Sequence, residues 1–265
     1  MTRQNSFCRI IDANAWLGHW PFRQLHHNDV PGLLRLMDKH GIDKAVVASI
    51  HGIFYKNCHR ANEELAEQVA PHLDRLVPFA TLNPNYPGWQ RNLRLCREEL
   101  GMRGLRLYPM YHDYQLSDGS ALELIAAATE LGMPIQLPMR VVDVRQRHWL
   151  DTERNLTAEG LDAVTRACPG TSFIFLNALG LQPATFTAGS HAGRRVVTDL
   201  SRLSAVLHDN LGELISEAGA GSVVFGTGIP FSYPKPALLK LEVLRASEAD
   251  KERIAWGNMA AILGL

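Results

Sequence analysis

The stretch GLRLYPMYHDYQLSDGSALELIAAATELGMPIQLPM, residues 104–139, decides the fold. It begins with a short apolar run, Gly104–Tyr108, continues through a segment with helical spacing of apolar residues, Ser120–Leu131, and ends in a second apolar run, Pro134–Met139. Gly132 directly follows the helical segment, which is where a glycine commonly ends a helix. A strand, a helix and a second strand in this order predict a parallel β-α-β unit.

The same alternation extends over the rest of the chain. The runs that read as strands are Arg9–Trp16, Lys44–Ile50, Val77–Asn83, Gly104–Tyr108, Pro134–Met139, Phe173–Asn177, Val196–Leu200 and Val223–Gly226. Helical patterns cover Val30–His40, Ala61–His72, Trp89–Leu100, Ser120–Leu131, Thr157–Ala167, Ala184–Arg194, Ser204–Ala218 and Pro236–Ala246, and a last helix is expected from about Lys251 to Leu263. Repeated units of this kind predict an α/β protein with a closed (β/α)₈ TIM barrel, formed by residues 1–265 as a single domain. An open doubly wound sheet is the alternative, but no GxGxxG follows the first strand.

Composition excludes several classes of function. Lys plus Arg and Asp plus Glu both number 27, and no dense basic run is present, so nucleic acid is not an expected partner. No stretch approaches about 18 consecutive apolar residues and the N-terminus does not resemble a signal peptide, so the chain is expected to be cytoplasmic and not membrane-bound. The four cysteines, Cys8, Cys58, Cys96 and Cys168, are too scattered for a zinc knuckle or a disulfide framework.

A site is expected at the C-terminal ends of the strands, where barrels of this kind carry their chemistry. The loops after the fourth and fifth strands are rich in polar groups, and arginine forks there suit an anionic small molecule. His112 and His148 are candidate general acids or bases, and Tyr108 and Asp143 complete the predicted catalytic set. The predicted substrate-binding residues are Asn14, Trp16, His51, Arg106, Tyr111, Gln136, Arg140, Arg145 and Asn177. The alternative interpretation is that both loops are solvated surface with salt bridges.

With the strands placed, several segments resemble the amidohydrolase-related family, in the branch similar to aminocarboxymuconate semialdehyde decarboxylase. The segments are GIDKAVVAS (41–49), ANEELAEQVAPHLDRLVPFATLNPN (61–85), GMRGLRLYP (101–109), VVFGTGIPF (223–231) and GNMAAILGL (257–265). The resemblance runs from about Ile11 to Leu265. It implies a barrel and, as is common in that family, a homodimer or larger homo-oligomer.

The family's metal-binding positions are where the sequence departs from the resemblance. Members carry HxH at the end of strand one, a histidine after strand five, another after strand six and an aspartate after strand eight. Those positions hold Asn14, Trp16, Pro138 (or Gln136 in a shifted register), Asn177 and Gly228. Zinc is bound by His, Cys, Asp or Glu, and none of these residues is one of them. The sequence therefore predicts no metal and no cofactor at the inherited site.

The missing metal limits the chemistry that can be expected. A metal lowers the pKa of bound water from about 15.7 to about 7, which is worth roughly 12 kcal/mol of nucleophile activation. The first hypothesis is a metal-independent hydrolase of a lactone or ester, or a carbon–carbon lyase, acting on a small anionic molecule that is cyclic or sugar-derived. The alternative is an inactive pseudoenzyme that serves as a binding or scaffold partner. A third hypothesis is a relocated metal site built from His51, His112 and His148.

Overall fold

Eight short parallel strands form the centre of the protein in the computed structural model, which describes residues 7–152, 154–188 and 194–265. The strands are β1 (Ile11–Leu17), β2 (Lys44–Ser49), β3 (Leu76–Pro78), β4 (Leu105–Arg106), β5 (Ile135–Pro138), β6 (Phe173–Leu176), β7 (Val196–Asp199) and β8 (Val223–Val224). Each one lies within or beside a predicted strand. Their burial on both faces explains why they read as continuous apolar runs.

The strands close into a barrel through two narrow contacts. Strands β1–β3 form one sheet and β4–β8 form another. The sheets are joined by parallel bridges between Ala80 and Leu105 and between Ala15 and Ile229. At the second contact the Trp16 amide donates to the Ile229 carbonyl at 2.8 Å. The predicted (β/α)₈ barrel is therefore confirmed.

Helices surround the strands. They are α1 (Val30–His40), α2 (His51–Phe54), α3 (Cys58–Val69), α4 (Trp89–Glu98), α5 (Pro109–His112), α6 (Gly119–Glu130), α7 (Ala158–Ala167), α8 (Pro183–Ala188), α9 (Asn210–Ala218), α10 (Pro234–Val243), α11 (Glu248–Glu252) and α12 (Asn258–Leu263). Within the described part of the chain, none of them has the length and apolar character needed to cross a membrane.

Capping residues set several of the helix boundaries. Helix α1 has the predicted bounds because the Asp29 side chain accepts a hydrogen bond from the Gly32 amide at 2.7 Å and Gly41 adopts a left-handed φ of 66°. Helix α9 begins six residues later than predicted, because Asp209 caps its N-terminus. The end of the predicted helix Ala184–Arg194 falls on residues 189–193, which lie outside the described residues.

The strands separate an inner core from an outer one. Leu105, Ile135 and Phe173 stand in register on neighbouring strands and face the surrounding helices. The inner face carries a second apolar cluster, which Met259 and Leu263 of α12 join from one end of the barrel. The last helix thus closes one end of the barrel. The C-terminal ends of the strands lie at the opposite end, which we call the mouth.

Candidate functional site

Aromatic side chains cover one side of the mouth. Trp16 and Tyr108 are fully buried, and the Trp16 indole donates to the Tyr108 hydroxyl at 2.9 Å. Phe231 packs edge-on against Trp16, with ring centroids 5.4 Å apart. We call the group formed by Trp16, Trp20, Phe22, Phe54, Tyr111 and Phe231 the aromatic cluster. Trp16, predicted to bind substrate, is thus buried within this cluster, and Tyr108, predicted to be catalytic, is buried against it, which raises the pKa of Tyr108.

Two predicted substrate-binding residues lie inside the barrel. Arg106 and Gln136 stand in register on β4 and β5 and are completely buried. Arg106 donates from Nε to Gln136 Oε1 at 2.6 Å and from Nη1 to the Ala15 carbonyl at 2.8 Å, while its guanidinium lies 4.6 Å from the Trp16 ring centroid. Gln136 in turn donates to the Ala13 carbonyl at 2.8 Å. These groups join the two sheets through the interior, so their predicted role in substrate binding is replaced by a structural one.

Asp12 is a buried carboxyl group that interacts electrostatically with Arg106. Its carboxyl group accepts hydrogen bonds from the Asn14 backbone amide at 2.9 Å, the Thr227 backbone amide at 3.0 Å and the Thr227 hydroxyl at 2.5 Å. Burial raises the pKa of Asp12, and these hydrogen bonds and Arg106 oppose the shift. A buried carboxyl group and a buried guanidinium group therefore lie below the mouth.

A second buried carboxyl group, that of Asp199, lies at the end of β7. Oδ2 accepts from Asn14 Nδ2 at 2.5 Å, and Oδ1 accepts from the Asn177 amide at 2.9 Å and contacts Ser201 Oγ at 3.0 Å. Burial raises its pKa to about 6, against the effect of these hydrogen bonds, and Asp12 adds to the rise. We call Asp199, Asn14, Asn177 and Ser201 the Asp199 site. Gly226 makes room for it, since a Cβ there would come 2.7 Å from Asp199 Oδ2.

Asn177 connects the Asp199 site to the loop after β5. Its backbone has a φ of 52°, a left-handed conformation that asparagine tolerates better than most residues. The side-chain Nδ2 donates to the Arg140 carbonyl at 3.0 Å, and Oδ1 lies 3.2 Å from Asn14 Nδ2. The Asn177 side-chain amide thus fixes the position of the Arg140 backbone relative to the Asp199 carboxyl group.

Three arginines converge on one carboxylate at this edge of the mouth. Asp143 Oδ2 accepts from Arg202 Nη1 at 2.6 Å and from Arg140 Nη2 at 3.4 Å, and Oδ1 accepts from Arg145 Nε at 3.1 Å. The Arg145 hydrogen bond lowers the pKa of Asp143, so this residue is ionised at neutral pH. Three guanidinium groups around one carboxylate leave an excess of two positive charges. We call Arg140, Asp143, Arg145 and Arg202 the arginine cluster.

The predicted histidines lie outside these two groups of residues. His112 is buried with Nε2 at 3.1 Å from the Gly52 carbonyl, and burial lowers its pKa. His148 stacks on Phe22 at 5.3 Å, and the His51 ring lies between the His19 amide at 3.1 Å and Glu64 at 3.3 Å. The structure therefore does not bring these histidines into either group, and the catalytic role of His112 and His148 and the substrate-binding role of His51 stay predictions.

Tyr111 and Asp143 also make contacts in the structure that differ from those expected for their predicted roles. Tyr111 donates to Asp151 at 3.0 Å as part of the aromatic cluster, rather than standing free to meet a substrate. Asp143, predicted to be catalytic, is held ionised among arginines and orients them instead. The arginines themselves lie at the mouth, as predicted for Arg140 and Arg145.

The sequence interpretation missed Asp199, Ser201 and Arg202. A usable signal was present, because VVTDLSR places a carboxylate at the end of an apolar strand and two polar groups directly after it. Strand ends at the mouth carry the chemistry of such barrels, so this segment deserved the same weight as the loops.

The donor set does not suit the family's metal. The positions that hold ligands in the family carry Asn14, Trp16, Pro138, Asn177 and Gly228, and Asn14 and Asn177 both use their amide groups in the Asp199 site. Over the described residues, no three His, Cys, Asp or Glu side chains lie close enough to hold a metal ion. Neither the inherited site nor the relocated one built from His51, His112 and His148 is formed by these side chains.

Comparisons with known proteins agree with the fold. The structure is similar to 5-carboxyvanillate decarboxylase from Sphingomonas paucimobilis, with a TM-score of 0.75, 17% identity and coverage of 97% of this chain and 99% of that one. It is also similar to a dihydroxybenzoic acid decarboxylase from a Polaromonas species, solved with manganese and the inhibitor 2-nitroresorcinol (TM-score 0.75, 20% identity, 97% of each chain). A third similar structure is 2,6-dihydroxybenzoate decarboxylase from Rhizobium (TM-score 0.72, 17% identity, 97% of this chain and 98% of that one).

Sequence comparison identifies the family directly. No curated protein sequence matches the chain significantly. The family model described as Amidohydrolase matches residues 17–265, so the match starts directly after Trp16 and covers nearly all of the barrel. The chain is therefore a member of the amidohydrolase family.

Proposed function

We propose that this protein is a metal-independent carbon–carbon lyase that removes carbon dioxide from a small carboxylated aromatic molecule. The observation that carries the proposal is the Asp199 carboxyl group, whose pKa of about 6 suits proton transfer near neutral pH. It lies beside the arginine cluster, to which Asn177 connects it. An acid and an anion-binding group next to each other are what such a reaction needs.

Different residues bind the substrate and supply the proton. The arginine cluster binds a carboxylate or phenolate oxygen of the substrate through charged hydrogen bonds. When carbon dioxide leaves, the ring carbon keeps an electron pair, and a proton that originates on Asp199 ends on that carbon. Asn14 and Asn177 hold the Asp199 carboxyl group in place.

Lyase chemistry is favoured over hydrolysis for two reasons. Hydrolysis needs an activated water, and the side chains at the family's metal positions do not suit the ion that would activate it. The three similar solved structures reported above are decarboxylases of aromatic carboxylates.

The function is tested by assaying chelator-treated protein for release of carbon dioxide from 2,6-dihydroxybenzoate, 5-carboxyvanillate and related phenolic acids. We expect turnover that chelation leaves unchanged, with metal below about 0.1 per chain by elemental analysis, because the donor set lacks His and carboxylate ligands. Activity that disappears on chelation and returns with Mn²⁺ would show that the metal-independent part of the proposal is wrong.

Loss of one arginine is expected to weaken carboxylate binding. Replacing Arg202 by Ala should raise the Kd for benzoate by about 10- to 100-fold, because a hydrogen bond between charged groups contributes about 1.5–3 kcal/mol. Isothermal titration calorimetry measures the change. Arg166→Ala is the matched control, since Arg166 lies on α7 and pairs with Asp162. Equal benzoate affinity in the two variants would show that the arginine cluster does not bind the substrate carboxylate.

One observation favours an inactive binding protein as the second candidate. Asp199 has no exposed surface, and Trp16 and Tyr108 pack closely over the barrel interior. Benzoate binding that depends on Arg202, together with no turnover of any phenolic acid in the panel, would select this alternative.

A further inference from the structure

The proton on Asp199 needs a route to the mouth. The side chain is fully buried, so its carboxyl group does not meet a bound molecule directly. In the described structure its oxygens contact three groups: the Asn14 side-chain amide, the Asn177 backbone amide and the Ser201 hydroxyl. Amide groups do not give up or accept protons readily at neutral pH, whereas a hydroxyl group can do both in one step. Ser201 is therefore the one contact of the carboxyl group suited to proton transfer.

The hydroxyl group of Ser201 also stands between two oxygen atoms. It lies 3.0 Å from Asp199 Oδ1 and 2.9 Å from Asn177 Oδ1. A serine has one hydroxyl proton, so it cannot donate to both oxygens at once. If Asp199 is protonated on Oδ1, its O–H donates to Ser201 Oγ and the Ser201 O–H donates to Asn177 Oδ1. Each of the two O–H groups then has an acceptor, and the hydrogen bonds run from the carboxyl group through Ser201 to Asn177.

Ser201 also occupies the right place for this role. It is half-buried, whereas Asp199 is not exposed at all. It directly precedes Arg202, whose guanidinium belongs to the arginine cluster. Ser201 is thus the partly exposed member of the hydrogen bonds that begin at Asp199, and it adjoins the arginine cluster along the chain.

We propose that Ser201 carries the proton between the buried Asp199 carboxyl group and a substrate held by the arginine cluster; this inference rests on the proposed function. The Asp199 O–H bond breaks as its proton moves to Ser201 Oγ. The Ser201 O–H, which has turned from Asn177 Oδ1 to the substrate, breaks at the same time, and that proton bonds to the ring carbon through the electron pair left by carbon dioxide. Asp199 is left as a carboxylate, and a proton from solvent restores it. Nothing is oxidised or reduced.

The test separates proton transfer from binding by using two probes. Resorcinol, the product expected from 2,6-dihydroxybenzoate, exchanges a ring C–H for C–D in D₂O if the protein runs the proton step in reverse, and ¹H NMR measures the rate. Benzoate affinity, measured by calorimetry, reports the arginine cluster alone. The variants are Ser201→Ala, Ser201→Thr, which keeps a hydroxyl group, and Ser204→Ala, which removes a hydroxyl group that contacts Asn210 instead.

We expect Ser201→Ala to slow resorcinol exchange by about 100-fold, the scale of a lost proton-transfer group, and to leave the benzoate Kd within about twofold. Ser201→Thr should recover most of the exchange rate, and Ser204→Ala should match the wild type. Exchange in Ser201→Ala at the wild-type rate would overturn the role of Ser201 and leave the proposed function standing. An equal loss of exchange and benzoate binding that threonine does not recover would also overturn it. Neither exchange nor decarboxylation in the wild type would mean that the proposed function itself fails, and the inference with it.

Discussion

Replacing Asp199 by Asn is expected to lower kcat for decarboxylation by about 10²- to 10⁴-fold. The substitution keeps the size of the side chain, but it replaces one of the two acceptor oxygens by an NH₂ group, and an amide cannot supply the proton that the ring carbon needs. Steady-state release of carbon dioxide measures the effect. KM should change little, because the arginine cluster is left intact. Asp113→Asn is the matched control, since Asp113 is exposed and pairs with Arg154 at the surface.

The pH dependence distinguishes proton donation from a purely structural role. Because the pKa of Asp199 is about 6, the wild-type rate should fall as the pH rises through that value, and the residual rate of Asp199→Asn should not. Stability should respond in the same range. The folded-state pKa lies above the value of about 3.9 expected in the unfolded chain, so the native state binds more protons between these values, and its free energy of unfolding falls as the pH rises between them. If Asp199→Asn keeps the pH dependence of the rate and the pH dependence of the free energy of unfolding, a group other than Asp199 is responsible for them.

Replacing Arg106 by Leu is expected to lower the free energy of unfolding by about 3–5 kcal/mol. The change removes the positive charge that favours the ionised form of the buried Asp12, and it removes the donors to Gln136 Oε1 and to the Ala15 carbonyl. It also uncovers the face of Trp16 on which the guanidinium packs. Urea denaturation followed by circular dichroism measures the loss.

The control for this prediction is Arg145→Leu. Arg145 bonds to Asp143 with a side chain that is 85% exposed, and surface substitutions usually change stability by no more than about 0.5 kcal/mol. If the two variants unfold at the same urea concentration, the interior position of Arg106 does not contribute as the structure indicates.

The fold could be predicted because each strand–helix unit carries its own local signals. Helix α1 is the clearest case, since Asp29, the proline at its start and Gly41 mark both ends. The predicted ends of the strands were less accurate. The short helices α2 and α5 were missed, because four-residue helices carry no periodic pattern to detect. The late start of α9 at Asn210 was missed for a related reason, since the apolar spacing continues through the preceding loop.

The site was predicted in part, and the errors share a physical cause. Arg140 and Arg145 lie at the mouth because they follow the end of β5, which the sequence indicates. Arg106 was placed in the substrate pocket because polarity on a strand does not reveal depth inside a barrel. Asp199 was missed because burial raises its pKa, and the sequence around it shows neither this burial nor the contacts with Asn14 and Asn177, which come from distant parts of the chain.

Trp16 also makes a histidine at this family ligand position costly for the fold. Returning a histidine to this one position would leave the Tyr108 hydroxyl without its indole partner and the Arg106 guanidinium without the ring it packs on. The first substitution on the path back therefore lowers stability before any ligand set is complete. Laboratory evolution toward metal binding would have to change the mouth lining and several ligand positions together, which selection acting on single mutations cannot easily do.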